Sequence, residues 1–256
     1  MTAALLTLDS RVRAALDSVV DPELDEPITD LGFVRSVVVA DGAVTVHLRL
    51  PTSFCAPNFA WLMVSDAREA VAAVPGAGRV VVELDDHSDS ELINRGLAAA
   101  AGYRGTFGHE AEDSLDELRA TFSRKAHTAA MERAVTSLLR GDRSLAEDDV
   151  PGLVLGDLPV GAPTTEALLR RRAALGLPVT PDAALLVDDD GRPPSRADAA
   201  LVLRRARSVR ISIDGNAHFC RGLLRTRYPG SGADQVPRPD DRPLLPLLVS
   251  SEGPSS

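Results

Sequence analysis

Two β-prone runs joined by an Asp-Gly turn constrain the fold of this chain more than any other feature. Residues 33–40 and 43–50 are rich in valine, and Asp41-Gly42 stands between them. Asp-Gly between two apolar runs is typical of the two-residue loop of a β-hairpin. Alternate residues of the second run are apolar, which predicts a sheet with one buried face and one partly polar face. These residues are Val44, Val46, Leu48 and Leu50.

Helices are predicted around this hairpin, because apolar residues recur there every three or four positions. They cover residues 10–20, 57–74 and 90–101, and a third strand is predicted over 80–84. Pro57 suits the first turn of its helix, where the missing N–H is not needed. The order α-β-β-α-β-α predicts an α/β (α+β) sandwich for the N-terminal domain, residues 1–104.

The rest of the chain is predicted to be a mainly helical, partly β C-terminal extension. Its predicted parts are a helical extension (105–140), a linker (141–163), a small α/β unit (164–228) and a disordered tail (229–256). The tail is rich in Pro, Gly, Ser and Asp, which predicts disorder. Within the α/β unit, we predict strands over 184–187 and 208–213 and helices over 164–175, 196–207 and 216–227.

Charge is divided unevenly along the 256 residues. Residues 1–150 carry 14 Lys+Arg and 25 Asp+Glu, whereas residues 151–256 carry 14 and 12. The formal net charge of −9 argues against broad nucleic-acid binding. No run approaches the roughly 20 apolar residues of a membrane-spanning helix, and the N-terminus does not resemble a secretory signal. The two cysteines predict no disulfide framework, so we expect reduced thiols in a cytoplasmic protein.

Cys55 lies where the second strand is predicted to end and the next helix to begin. A thiol at a helix N-terminus faces the positive end of the macrodipole and several unpaired N–H groups, which favour the thiolate. The thiolate is the form that binds metals or attacks electrophiles. Thr52 and Pro57 flank this predicted helix start. The alternative is that Cys55 is a small buried hydrophobic residue, as most free cysteines are.

Other side chains that bind soft metals are scattered along the chain. The candidates to join Cys55 are His47, His87, His218 and Cys220. Thiolates and imidazoles suit iron or zinc, but none of these residues has a diagnostic spacing such as paired CxxC motifs. Each histidine can instead be a solvated or hydrogen-bonded structural residue, and Cys220 a thiol in a helical core.

Three short motifs, in this order along the chain, resemble those of a known protein family. They are Asp-Pro-Glu-Leu at 21–24, Ile-Thr-Asp-Leu-Gly-Phe-Val at 28–34, and Leu-Pro-Thr at 50–52 followed by Cys55. This arrangement resembles the SufT/PaaD-like metal–sulfur (iron–sulfur) cluster assembly family over about residues 8–102. The resemblance implies that Cys55 is the family's cysteine and that Asp21, Glu23 and Asp30 form its acidic signature. The family's usual Cys-Pro pair is Cys55-Ala56-Pro57 here, with one residue inserted.

The resemblance implies a non-catalytic accessory factor for iron–sulfur cluster assembly, or for metal-centre maturation of a client enzyme such as an oxygenase. It implies that Cys55 transiently engages iron or an iron–sulfur cluster, with an apo-metalloprotein client or the assembly machinery as partner. Because clusters usually take about four protein ligands, one thiol cannot hold a cluster alone. Cys55 would share it across a homodimer or draw further ligands from this chain or a client.

Two other functions remain open from the residues. In the first, the protein is a metal-free protein–protein adaptor or assembly chaperone, with its acidic and arginine-bearing parts as docking surfaces. Asp21, Glu23 and Asp30 can be hard ligands for iron or an acidic surface that binds a client. Alternatively, Asp21 and Asp30 stabilise turns locally and Glu23 is solvated. In the second, Cys55 is the nucleophile of a thiol enzyme, which requires an imidazole base within hydrogen-bond reach, such as that of His47 or His87.

Overall fold

The computed structural model describes residues 7–108 and 115–237. Its first helix, α1 (Leu8–Leu16), begins after Thr7, whose hydroxyl accepts a hydrogen bond from the N–H of Ser10. Such a cap satisfies a backbone donor that the helix leaves unpaired. Val12 and Leu16 lie four positions apart and are fully buried, so α1 presents its predicted apolar stripe to the core.

The acidic loop after α1 contains a short ladder that its sequence pattern does not predict. Strand β1 (Val20–Asp21) pairs antiparallel with β2 (Glu26–Pro27). Between the two strands, Asp25 has φ 55°, a left-handed conformation that Asp tolerates better than most residues. Two-residue strands are too short to show an alternating pattern, so only the folded chain reveals them.

The predicted hairpin is confirmed and forms most of a three-stranded sheet. Strand β3 (Val34–Ala40) pairs antiparallel with β4 (Ala43–Arg49), and β5 (Val80–Asp85) lies parallel to β4 on its other side. Asp41 and Gly42 both have positive φ, 50° and 78°, as a two-residue turn matching the strand twist requires.

Helices complete the predicted α-β-β-α-β-α order. A parallel pair such as β4 and β5 needs a crossover connection, and α2 (Pro57–Ala72) supplies it. After β5 come α3 (Ser90–Ala98) and the short α4 (Gly102–Phe107). A first hydrophobic core joins this sheet and its helices, and its fully buried members include Val12, Leu31, Val46, Val64 and Ile93.

A second core lies among the later helices. Its elements are α5 (Leu115–Gly141), α6 (Pro163–Ala174), α7 (Arg196–Arg227) and two short 3₁₀ helices, Glu147–Gly152 and Leu155–Asp157. The 3₁₀ helices belong to the segment predicted as a linker, yet Val150, Leu155 and Leu158 are buried in this core. None of the helices in the described ranges combines the length and the apolar content that crossing a bilayer requires.

The two strands predicted in the C-terminal part are wrong. Residues 208–213 lie inside α7, and residues 184–187 make only one isolated bridge, from Ala184 to Val154. The apolar run at 185–187 is buried in the second core without a strand partner, a placement that periodicity cannot distinguish from a strand. The part predicted as a small α/β unit therefore consists of α6 and α7 joined by a loop, with no strand among its described residues.

Helix α7 is one continuous element of 32 residues, about 48 Å long at 1.5 Å per residue. Leu203 and Ala206 are buried in the second core, whereas Ala217 and Leu224 are buried in the first. The predicted break between residues 207 and 216 is absent because one helix face serves both cores in turn.

The start of the predicted disordered tail is ordered. Ser231–Asp234 forms a 3₁₀ helix, and the N–H of Val236 donates to the carbonyl of Asp30 at 2.9 Å. Polar composition predicted disorder here, but the backbone hydrogen bond of Val236 and the ion pair of Asp234 with Arg49 attach residues 229–237 to the N-terminal part. The remainder of that prediction, residues 238–256, lies outside the described residues.

Candidate thiol site at the strand–helix junction

Cys55 lies at the predicted junction, between the end of β4 at Arg49 and the start of α2 at Pro57. Pro57 occupies the first turn of α2, and the capping residue Ala56 makes no side-chain cap. The Cys55 thiol is partly buried against the first core. Its Sγ lies 3.4 Å from the hydroxyl of Thr52, which also accepts a hydrogen bond from the N–H of Phe54. Thr52 thus shapes the loop that carries the thiol.

His87 contacts Cys55 through the backbone. The His87 side chain is buried, its Nδ1 accepts from the N–H of Asp89 at 3.1 Å, and its Nε2 donates to the carbonyl of Cys55 at 2.8 Å. Because a backbone N–H can only donate, this tautomer follows from the geometry. His87 therefore ties the loop after β5 to the Cys55 loop, and both of its ring nitrogens are occupied in doing so.

The fold brings Cys220 close enough to Cys55 for the two thiols to interact electrostatically. It lies on α7, on the same face as the buried Ala217 and Leu224, and packs partly buried against the first core together with Cys55. Burial, with the negative charges of Asp21, Cys55 and Glu23 adding to it, raises the pKa of Cys220 to about 12. The thiol is therefore neutral at neutral pH, and an approaching cation would favour its deprotonation.

His218 does not join the two cysteines. It is exposed on α7, and positions two apart on a helix do not face the same way. His47 lies on the partly polar face of the sheet, with its Nδ1 3.0 Å from the carboxylate of Asp85. Asp85 also accepts a hydrogen bond from Arg35 at 2.8 Å. These contacts give His47 a structural environment on the sheet.

Asp21 combines a local role with burial. Its Oδ1 accepts hydrogen bonds from the N–H groups of Glu23 and Leu24, at 2.9 and 2.8 Å. Desolvation raises its pKa to about 6, although these two backbone hydrogen bonds lower it. The side chain stabilises the turn between β1 and β2, and it lies close enough to Cys220 to act on that thiol electrostatically.

Glu23 and Asp30 both contact the C-terminal part of the chain. The side-chain amide of Asn216 donates to Glu23 at 3.2 Å, so Glu23 is not simply solvated. The carbonyl of Asp30 accepts from the N–H of Val236. Burial raises the pKa of the Asp30 carboxyl, with Asp17 and Glu26 adding to the effect.

The described residues do not form a closed metal site. Across 7–108 and 115–237, no three or more His, Cys, Asp or Glu side chains are grouped so that they could hold a metal ion. A resident iron–sulfur cluster needs about four protein ligands. The side chains around Cys55 and Cys220 therefore do not by themselves supply the ligands of a permanently bound cluster.

Residues that sequence reasoning missed hold the loops around Cys55. Arg227 donates to the carbonyl of Leu50 at 3.1 Å and to the hydroxyl of Ser53 at 2.8 Å. The hydroxyl of Tyr228 donates to the Asp86 carboxylate at 3.1 Å. Arg227 and Tyr228 stand at the C-terminal end of α7. No local sequence motif predicts their role, because their partners lie more than a hundred residues earlier in the chain.

Comparison with known proteins assigns the part of the chain that carries Cys55. A family described as iron-sulfur cluster assembly protein matches residues 9–84. The iron-sulfur cluster carrier protein of Mycobacterium tuberculosis is 40% identical over 85 residues, 33% of this chain and 22% of that protein. The carrier protein of Synechocystis sp. is 35% identical over 80 residues, 31% of this chain and 22% of that protein.

A shorter relative is covered almost entirely. Uncharacterized protein MJ1129 of Methanocaldococcus jannaschii is 33% identical over 84 residues, which are 32% of this chain and 86% of that protein. By contrast, the chain spans about a fifth of the length of the carrier proteins that it matches. The match to a nearly whole relative and the family match at 9–84 together show that this chain belongs to the iron–sulfur cluster assembly protein family.

Proposed function

We propose that this protein is a non-catalytic accessory factor for iron–sulfur cluster assembly, or for metal-centre maturation of a client iron enzyme such as an oxygenase. Cys55 transiently engages iron or a cluster as cargo. The observation that carries the proposal is the position of Cys55, in a partly buried loop within the family-matched residues 9–84. The chain's other cysteine packs against the same core and is close enough to interact with it electrostatically. The two free thiols suit the reducing cytoplasm.

The proposed chemistry is ligand exchange at the two thiols. Cys55 binds iron as a thiolate, and Cys220 releases its proton to water when it becomes a second ligand. Since no closed set of ligands is present in the described residues, the remaining ligands come from an apo-metalloprotein client, the assembly machinery or a second copy of this chain. An incomplete ligand set favours release of the cargo.

Replacing Cys55 by serine tests the proposal. We expect the Cys55→Ser variant to fold normally by circular dichroism and to lose most iron uptake when the full chain is reconstituted anaerobically with iron and sulfide. The Cys220→Ser variant should take up less iron than the wild type but more than Cys55→Ser. Absorbance and metal analysis give the readout, and maturation of a client in cells gives a second one.

The matched control is Phe54→Ala, because Phe54 precedes Cys55 and is 85% exposed. This variant should take up iron like the wild type. Wild-type uptake and full client maturation by Cys55→Ser would reject the role of the thiol.

A metal-free adaptor or assembly chaperone is the second candidate. It is favoured by the absence, across the described ranges, of three or more ligand side chains grouped for a metal. An adaptor would contain no iron after anaerobic purification and would take up none, yet it would still bind its partner protein. Iron uptake that depends on Cys55 would exclude this candidate.

A further inference from the structure

The second half of α7 and the residues after it cover the face of the family-matched part that carries Cys55. We call residues 216–237 the latch. The first half of α7 is anchored in the second core through Leu203 and Ala206. The latch leaves that core and places Ala217 and Leu224 in the first core. The latch is thus attached to one part of the molecule and docked on the other.

The latch lies directly over the motif at residues 30–32. Besides the hydrogen bond of Val236 to Asp30, the side-chain amide of Gln235 donates to the carbonyl of Leu31 at 3.4 Å. A Cβ on Gly32 would lie 3.0 Å from the side chain of Gln235. The latch therefore approaches Gly32 so closely that a larger side chain there would crowd Gln235.

The latch also binds the loops on both sides of Cys55. Arg227 joins the loop before Cys55 to the loop after β5, because it donates to Leu50, to Ser53 and to the carbonyl of Asp86. The loop after β5 in turn holds the carbonyl of Cys55 through His87. Cargo or a partner that reaches both cysteines must therefore displace part of this hydrogen-bonded arrangement.

Several contacts of the latch are polar. Arg221 and Glu26 form an ion pair with side chains only 7% and 6% exposed, and Arg49 binds Asp234 at 2.6 Å. Buried ion pairs give specific geometry but little net stabilisation, because both charges lose their hydration. Polar interfaces within a chain are typical of parts that move relative to one another.

Two glycines weaken the helical part near and within the latch. Gly215 and Gly222 lie inside α7, and a Cβ at either position would meet no atom within 4 Å. Close packing therefore does not require glycine at these positions. Glycine inside a helix lowers helix stability through its conformational freedom, so Gly215 and Gly222 make this stretch of α7 easier to unwind than alanine would.

We propose that the latch opens away from the Cys55 face while α7 stays anchored in the second core, so that it acts as a built-in lid on the thiol site. The docked state shields Cys220 and restricts access to Cys55. The open state exposes both thiols to cargo or to a partner. The significance of opening for cargo rests on the proposed function, but opening itself does not involve iron.

Alkylation of Cys220 in the full-length protein measures opening, because this thiol faces the first core in the docked state. We expect Arg227→Ala, which removes several hydrogen bonds of the latch, to speed modification of Cys220 by iodoacetamide about tenfold. Mass spectrometry distinguishes Cys220 from Cys55. Arg205→Ala is the matched control, since Arg205 is an exposed arginine on the anchored half of α7. It should react at the wild-type rate.

A second variant tests the opposite direction. Replacing both Gly215 and Gly222 by alanine should slow modification of Cys220 about tenfold, because alanine stabilises a helix relative to glycine. Gly152→Ala is its control, since a Cβ there also meets no atom within 4 Å. This test remains valid even if the Arg227→Ala variant does not fold.

Unchanged rates in both Arg227→Ala and the double alanine variant would overturn the proposal. Rates that follow only the free energy of global unfolding, measured in urea, would also overturn it. The alkylation experiment uses no iron, so rejecting the opening of the latch would not affect the evidence from Cys55-dependent iron uptake. Likewise, a lack of iron uptake would not change the interpretation of the alkylation rates.

Discussion

At the residue scale, neighbours in the sequence explain the positions of some candidate site residues, whereas the hydrogen-bond partners of others come from distant parts of the chain. Cys55 lies at the junction that its neighbours predict, and Asp21 stabilises the turn that follows β1. His87, considered as a ligand, instead holds the backbone of Cys55. The type of a side chain determines which hydrogen bonds or metal bonds it can form. Its neighbours in space determine which of these it does form.

Asp21 makes a prediction about pH. Its pKa in the folded protein is about 6, above the ordinary 3.8, so between these values the folded state holds a proton that the unfolded state has lost. Its contribution is favourable at low pH and is lost as pH rises through 6. Asp21→Asn keeps the Oδ1 acceptor but cannot titrate. From pH 4 to pH 7 its free energy of unfolding should gain about 2 kcal/mol relative to the wild type.

Urea unfolding at the two pH values checks this expectation. Asp182→Asn is the control, because Asp182 is exposed and its replacement should shift stability equally at both. If the free energies of unfolding of Asp21→Asn and the wild type differ by the same amount at pH 4 and pH 7, burial does not perturb the titration of Asp21.

At the element scale, the sheet and most helices follow from periodicity and turn chemistry. The β3–β4 hairpin forms as predicted because Asp41-Gly42 can adopt positive φ at both positions. The predicted strand at 208–213 fails because its alternating apolar residues lie within a longer helical pattern. That pattern places Leu203, Ala206, Ile213 and Ala217 on a buried face.

The hairpin turn gives the prediction at this scale. Gly42→Ala should lower the free energy of unfolding by about 1–2 kcal/mol, because a side chain disfavours the left-handed conformation. A Cβ there would meet no atom within 4 Å, so the cost comes from the backbone alone. Thermal or urea unfolding measures it. Gly152→Ala, which has the same open surroundings, should change stability far less, and equal effects would contradict the explanation.

At the scale of the whole molecule, the uneven charge distribution is partly explained by contacts within the chain. Asp25, in the acidic turn between β1 and β2, is bound by Arg171 of α6 at 2.7 Å and lies 3.9 Å from Arg133 of α5. Arg119 of α5 binds Asp66 of α2. Arginines of the later helices thus pair with carboxylates of the family-matched part. These acidic residues therefore form contacts within the chain.

The Asp25–Arg171 pair gives the prediction at this scale. The Asp25 side chain is only 8% exposed, so Arg171→Ala leaves a buried carboxylate without its main partner and should cost about 3 kcal/mol of stability. Arg170→Ala is the matched control, since Arg170 is the exposed neighbour. It should cost less than about 0.5 kcal/mol.

A double-mutant cycle completes this test. Adding Asp25→Asn to Arg171→Ala removes the uncompensated charge, so the double variant should be more stable than Arg171→Ala alone. Additive losses in urea unfolding would show that the two side chains do not interact energetically.

The sequence by itself determined the α-β-β-α-β-α order, the hairpin and the place of Cys55, because each depends on residues close together in the chain. Only the tertiary structure decided that Cys220 packs against the same core as Cys55, that His218 is exposed, and that residues 216–237, which carry Cys220, bind the loops around Cys55. Arg49 shows the reason. Alternation placed it on the polar face of the sheet, but Tyr228 and Asp234 bury it, and contacts between such distant segments leave no local periodicity to read.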